Sequence, residues 1–301
     1  MTAQHNGVVI DDSFAEAFPM KATRILITAH NATWAMNAAV SATGFATSVI
    51  ACGCEAGIER TLGPDETPDG RPGVSVLIFS MSGKELAKQI ERRVGQCVLT
   101  CPTTAVYAGI AEGEAVALGR NLRFFGDGWQ ISKVIDGVRY WRVPVMDGEF
   151  VAQETTAVTK AVGGGNLLFM ATDVDAALAV SEAAVAAMKR LPNVVMPFPG
   201  GVVRSGSKVG SKYAALSAST NDAYCPTLYG LVDKTQITPD TRCVMEVVID
   251  GLTEADVAAA MKAGIQAGIG IGRAGGLVRI GAGNYGGKLG PFHFHLHKLL
   301  P

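Results

Sequence analysis

Between Pro197 and Thr227 the chain reads PFPGGVVRSGSKVGSKYAALSASTNDAYCPT, and the residues there that could do chemistry lie close together. Ser207, Lys208, Ser211, Lys212, Asn221, Asp222 and Tyr224 supply hydroxyls, two ammonium groups, an amide, a carboxylate and a phenol. That set offers donors, cations and one carboxylate to a polar ligand. Neither a helical nor a strand period runs through the segment, and so long an irregular stretch inside a compact domain is either functional or disordered. Val202, Val203, Tyr213, Leu216 and Tyr224 give it apolar anchors, which speaks against disorder. Glycines at 200, 201, 206 and 210 allow tight turns and close approach of backbone to a ligand.

Glu246 is the lone charge in Cys243-Val-Met-Glu-Val-Val-Ile249. On a strand it either faces solvent from a one-sided sheet or enters an apolar cleft, where its pKa rises and it can act as an acid near neutrality; the residues alone leave both readings open. Other patterns are weaker. Gly281-Ala-Gly-Asn-Tyr-Gly286 satisfies GxGxxG, but Gly287, Gly290 and Pro291 forbid the helix whose N-terminus would hold a pyrophosphate. Ser205-Gly-Ser-Lys208 and Ser219-Thr-Asn221 imitate a serine acyl-enzyme, yet the glycines around them argue for a loop rather than the start of a helix. His293, His295 and His297 alternate, so one strand would set three imidazoles on one face; with no carboxylate or cysteine alongside, a polar strand face is expected and no metal site. The six cysteines lack a repeated zinc-type spacing and are read as reduced thiols.

Elements that could position these residues recur in one order. A strand at 24–28, a helix at 32–43, strands at 47–51 and 74–79, a helix at 83–95 and a strand at 97–100 are followed later by a strand at 166–170, a helix at 174–190, strands at 194–196 and 243–249, a helix at 254–268 and a strand at 277–280. Between the two sets, residues 122–151 read as a strand meander with Asp-Gly turns. Ser82 and Thr253 are expected helix N-caps. The pattern predicts an α+β fold of two ferredoxin-like (split βαβ) lobes from an internal duplication. An N-terminal lobe with the meander would span 1–150, and a C-terminal lobe with a long 197–241 insertion would span 151–301. A chain of 301 residues with 48% hydrophobic and 18% charged residues can bury two such cores. Its net charge of -1 gives no basic footprint for nucleic acid, and with no run of 18 uncharged apolar residues a cytoplasmic protein off the membrane is expected.

The strings DDSFAEAF, ATGFATSVI, EAGIE, ETPDGRPGV, RVGQCV, FFGDGW, VGGGN, PFPGG, SKVGSK, ASTNDAYCPT and AGNYGGKLG lie in an order and spacing that resemble the formylmethanofuran:tetrahydromethanopterin formyltransferase family over nearly the whole chain. The resemblance implies an acyltransferase that moves a formyl group between the amine of a methanofuran-type carrier and N5 of tetrahydromethanopterin in one-carbon metabolism, through a ternary complex and a tetrahedral intermediate. Both coenzymes are then substrates, and no tightly bound cofactor or metal is implied. It also implies a homotetramer. The near-neutral charge looks more like the bacterial methylotroph branch, whose transferase works with hydrolase subunits in a larger complex.

By the same resemblance Glu246 is the catalytic glutamate. Ser207, Lys208, Ser211, Lys212 and Lys288 would hold anionic tails, Asn221, Asp222 and Tyr224 would hydrogen-bond the pterin, and Phe125 would stack on a ring, as would Trp129 and Phe198. Asp127, Asn166 and Asn284 lie in the matching FFGDGW, VGGGN and AGNYGGKLG strings and join the substrate-binding set. The alternatives are a noncatalytic pterin-binding or assembly subunit and a serine hydrolase using Ser205 or Ser207.

Overall fold

In the computed structural model, residues 3–300 are described, and they form an α+β protein with a large mixed sheet. Two compact units divide it, one from Met20 to Ala161 and the other from the described residues up to Pro19 together with those from Val162 onward. The described residues up to Pro19 thus group with the later part of the chain. Strands Phe14–Thr28 and Thr155–Ala171 each contribute to both units.

In the unit from Met20 to Ala161, strand Phe14–Thr28 is followed by helix Ala32–Thr43, strands Glu55–Leu62 and Gly73–Ser80, helix Gly83–Arg93 and strand Ala105–Ala108. The first strand pairs antiparallel with the third (Ile25 opposite Val76) and the fourth (Ile27 opposite Val106), and the second pairs with the third. The order across the sheet is therefore fourth, first, third, second. Helix Ala32–Thr43 buries Ala35, Ala38, Ala39 and Ala42, the one-faced spacing of an amphipathic helix, against a core containing Ile25, Ile27, Val76, Ile78, Leu86 and Ile90. Asn31 caps its N-terminus through Oδ1, which accepts from the Trp34 amide. The meander is Ile131–Ile135, Val138–Val145 and Gly148–Gln153, and its first turn uses positive φ at Asp136 (49°) and Gly137 (79°).

In the other unit, strand Thr155–Ala171 is followed by helix Val174–Met188, strands Val194–Val195 and Cys243–Gly251, helix Glu254–Ile271 and strand Leu277–Gly281. The first strand pairs antiparallel with the third (Leu168 opposite Glu246) and the fourth (Phe169 opposite Ile280), and the second pairs with the third. This is the same strand order. The two helices pack closely at Gly264, where a Cβ would stand 2.1 Å from Met188 Cε. Strand Val8–Ile10 adds in parallel to Leu277–Gly281, and Phe14–Ala17 pairs with Phe292–His295. Ser82 and Thr253 cap their helices as expected. No helix among the described residues is long and apolar enough to cross a membrane.

Three local expectations are corrected. The segment at 47–51 leads into helical turn Val49–Cys52, capped by Ser48 and ended by Gly53 at φ 75°; so short a segment fits helix or strand equally, and the strand starts at Glu55. Residues 97–100 form no strand: a π-type turn, Val94–Val98, extends the preceding helix and buries Val94 and Val98 in the core. The histidines do not share a strand face, because the strand ends at His295 and His297 lies in helix Leu296–Leu299. His293 is engaged with the Gly290 carbonyl at 3.0 Å, and His297 pairs with Asp12.

Candidate active site

Strand alternation decides which way Glu246 points. In the unit containing it, Leu167, Phe169, Val247 and Ile249 face the core under the two helices. Leu168, Met170 and Val244 face the other side, where they meet Ile237 and Tyr224 of the long insertion. Glu246 shares that second face, opposite Leu168. A sheet face that would otherwise meet water is thus roofed by residues between 197 and 241, and the sequence's two readings of Glu246 resolve to a cleft. The insertion is tied to the strand at this residue: Val203 N–H donates to the Glu246 carbonyl (2.8 Å), and Glu246 N–H donates to the Val203 carbonyl (2.9 Å). Further on it forms a small hairpin, Ser207–Val209 with Ala218–Thr220, where the sequence read only loop.

Beneath this roof lies a cavity of about 370 Å³. Glu246 lines it with Ser207, Lys208, Asn221, Tyr224 and Tyr285. Ser13, Asn166, Leu168, Gln236, Ala282, Gly283 and Asn284 complete the wall. Among the described residues the Glu246 carboxyl has no hydrogen-bond or ion-pair partner, and burial pushes its pKa from 4.5 up to about 7. The side chain is half-buried because it opens onto the cavity. Near neutrality it therefore exists in both forms, able to give or take a proton. Tyr224 is pushed up to about 12 by burial, with the negative charges of Asp11 and Glu246 adding and Arg279 opposing, so its phenol remains a donor. The Tyr285 phenol is also raised, first by burial and then by the Glu246 charge.

Lys208 and Asp222 pair with each other at 2.5 Å while Lys208 keeps a place on the cavity wall. Asp222 is held below its usual pKa by the hydrogen bond from Lys208. Ser211 and Lys212 sit at the far end of the hairpin, where Ser211 Oγ accepts from the Tyr213 amide and Lys212 is exposed. Lys288 is exposed on the 281–291 loop. Asn166 is committed to that loop: its Oδ1 accepts from Gly283 N–H (2.6 Å) and its Nδ2 donates to the Gly283 carbonyl (3.0 Å). Asn284 donates to the Phe14 carbonyl and accepts from Gly286 N–H. Phe125 and Asp127 belong to the unit from Met20 to Ala161, where Phe125 is exposed and lines a separate cavity with Cys101, Pro144 and Met146.

Sequence reasoning passed over Glu16, Tyr285 and Gln236. Glu16 is fully buried, and its carboxylate accepts four backbone hydrogen bonds: Tyr285 (2.7 Å) and Gly287 (2.8 Å) donate to Oε2, Leu289 (2.5 Å) and Gly290 (2.7 Å) to Oε1. Burial alone would raise its pKa, but the four bonds together hold it below the usual value. Its signal was in the sequence, since Ser13-Phe-Ala-Glu-Ala-Phe18 isolates one charge among apolar residues as the stretch around Glu246 does.

Comparison with known proteins gives a consistent answer. Residues 3–145 match the model of the formylmethanofuran-tetrahydromethanopterin formyltransferase family, and residues 148–299 match the model of that family's proximal lobe. A Methylococcus capsulatus formylmethanofuran–tetrahydromethanopterin formyltransferase is 67% identical over 98% of this chain and 99% of its own length. One subunit of the formyltransferase/hydrolase complex of Methylorubrum extorquens is 52% identical over 98% of this chain and 96% of its own length. A crystal structure of that complex with methylofuran contains a chain that superposes with a TM-score of 0.98 at 50% identity, covering 100% of this chain and 99% of that one. The Methanosarcina barkeri enzyme superposes with a TM-score of 0.93 at 47% identity, over 99% of this chain and 100% of that one. With its whole length and fold matched, the chain belongs to the formylmethanofuran–tetrahydromethanopterin formyltransferase family.

Proposed function

We propose that this protein transfers a formyl group between a methanofuran-type amine and N5 of tetrahydromethanopterin, with both coenzymes as substrates, and that Glu246 carries the proton chemistry. The observation that carries the reading is a carboxyl with no protein partner among the described residues, at the wall of a polar cavity, where burial pushes its pKa up to about 7. In the furan-to-pterin direction the N5 lone pair attacks the formyl carbon and the C=O electron pair moves to oxygen. A protonated Glu246 stabilises that oxyanion and gives its proton to the departing amine nitrogen. The C–N bond to the carrier then breaks, N5 surrenders its own proton to the Glu246 carboxylate, and the acid is restored. The reverse reaction uses the same steps backward.

The substrates' acidic tails call for cations, and Lys208, Lys212 and Lys288 with Ser207 and Ser211 meet that need. Asn221, Asp222 and Tyr224 would orient the pterin, and Tyr224 has the retained phenol proton such a role requires. Asn166 and Asn284 support the wall, while Phe125 and Asp127 are assigned to substrate by family resemblance alone. The shared strand order supports reading each unit as a ferredoxin-like lobe derived by duplication. Family models meeting between residues 145 and 148 support a lobe boundary near 150. The relative that is a subunit of a formyltransferase/hydrolase complex supports a similar setting here, while a homotetramer in the cytoplasm rests on the family resemblance alone. The decisive experiment is a spectrophotometric assay of formyl transfer to tetrahydromethanopterin by the purified chain, with and without EDTA. Turnover unaffected by EDTA is expected; its absence in the isolated chain would favour a noncatalytic assembly subunit.

A further inference from the structure

We propose that Glu16 is a positioning residue for transfer: its buried carboxylate holds the 284–290 loop so that Tyr285 keeps its place on the cavity wall beside Glu246. The inference rests on the reading of that cavity as the transfer site. Four main-chain donors from a seven-residue stretch converge on one carboxylate, two per oxygen. That geometry saturates a carboxylate and no neutral side chain can copy it. Within the stretch Gly286 and Gly287 take φ of 80° and 71°, no helix or strand bonds run through it, and Gly286 N–H donates to Asn284 Oδ1 (3.1 Å). At its far end Gly290 passes so near strand Phe14–Thr28 that a Cβ would lie 2.1 Å from the Ala17 carbonyl oxygen. At its near end Asn166 clamps Gly283 by both amide atoms. Between these clamps the loop presents Asn284 and Tyr285 to the cavity, with the Tyr285 ring 6.1 Å from that of Phe18. Glu16 does not line the cavity itself, so its contribution to the reaction passes through the loop.

Glu16→Gln is the direct test. The amide oxygen can still serve two of the four donors, but its NH2 turns two N–H groups against the other two, releasing half the loop. Three readouts on the assembled enzyme decide the matter. Amide exchange should accelerate at 284–290 while helices 174–188 and 254–271 stay protected. Formyl transfer should fall by about tenfold or more in kcat/KM, the scale of a displaced positioning contact. In a double-mutant cycle with Tyr285→Phe, the combined loss should be no larger than about threefold beyond the worse single variant. Gly287→Ala, which strains the cradle from the loop side and leaves Glu16 intact, should reproduce the local exchange and the non-additivity if Glu16→Gln fails to fold. Unchanged exchange at 284–290, independent losses in the cycle, or full activity of Tyr285→Phe would each overturn the assignment. Absence of transfer by the parent enzyme would instead remove the transfer reading, while the exchange data still judged the cradle.

Discussion

Both units stack the same four strands in the same order, and each carries a glutamate withdrawn from water on its sheet, but the two carboxylates have opposite surroundings. In the unit from Met20 to Ala161, Glu59 accepts a bidentate pair from Arg24 (2.7 Å to each oxygen) and a bond from Ser75 (2.6 Å). In the other unit the Glu246 carboxyl has no such partner among the described residues. The cause is the length of chain that joins the second strand to the third. Beyond Glu55–Leu62 this connection is short, and its Asp69 is consumed by Thr28, Arg71 and Tyr107. Beyond Val194–Val195 the chain runs to Arg242 before re-entering the sheet, and that length roofs a cavity. A satisfied carboxylate holds a fold together; an unsatisfied one beside a cavity retains capacity for chemistry.

Exchanging the two roles by mutation tests this contrast most severely. Glu59→Ala removes a bidentate partner of the partly buried Arg24 and should cost about 1–3 kcal/mol of stability, measured by urea unfolding, while the folded remainder keeps its turnover per molecule. Glu246→Ala should do the reverse, lowering kcat by roughly 10²–10³-fold, the scale of a lost oxyanion donor, with unfolding unchanged or improved. If Glu246→Ala folds and turns over at the parental rate, the contrast between the two carboxylates has no functional content.

The next effect is smaller and depends on pH. The folded pKa of Glu246, about 7, lies above the ordinary value of 4.5, so between those values the folded state holds a proton that the unfolded chain has lost. Stability from this group is therefore greatest below pH 4.5 and declines as pH rises through 7. Glu246→Gln cannot ionise and should be more stable than the parent at pH 8 by about 1–3 kcal/mol, with the gain shrinking as pH falls through 7 and vanishing below pH 4.5. The parent's furan-to-pterin kcat should fall as pH rises through about 7, and the Gln variant should lose that limb. A Gln variant with residual, pH-independent turnover would mark hydrogen-bond donation as the larger contribution; one as slow as Ala would mark proton transfer.

Legibility in the sequence depended on how local each cause was. Helix Ala32–Thr43 could be read to the residue because a capping asparagine and an alanine stripe specify it within one segment. The recurring order of helices and strands was largely legible for the same reason, whereas which strands pair is set between distant segments. Residues 47–51 and 97–100 misled because segments of four or five residues are too short to display a period. Glu246 was visible as a lone charge, but its choice between solvent and cleft waited on the preceding insertion, with Val203, Tyr224 and Ile237, folding over the strand. Glu16 carries the same lone-charge signal, but the four donors that give it meaning lie at the opposite end of the sequence. Asn166 reads as a substrate contact; it does line the cavity, and both ends of its amide also bond Gly283, which its local sequence does not announce. Such commitments depend on distant chain and leave no trace in local sequence.

The smallest expected effect separates holding a substrate from transforming it. Lys208 is half-exposed and paired with Asp222 at 2.5 Å, an ion pair of the kind that contributes about 0–1 kcal/mol to stability, so Lys208→Ala should barely move the unfolding midpoint. Its proposed partner is an anionic tail remote from the reacting carbon, and a contact equally strong in ground and transition states appears in KM alone. Lys208→Ala should therefore raise KM for one coenzyme by about tenfold with kcat within about twofold of the parent. The parent's KM should also climb with salt more steeply than the variant's, because screening weakens a charge contact the variant lacks. Lys212→Ala, on an exposed turn, should follow the same pattern more weakly. Should kcat fall with Lys208→Ala while KM holds, the ammonium would have to act at the tetrahedral intermediate, and Glu246 would share the oxyanion with a cation already neutralised in part by Asp222.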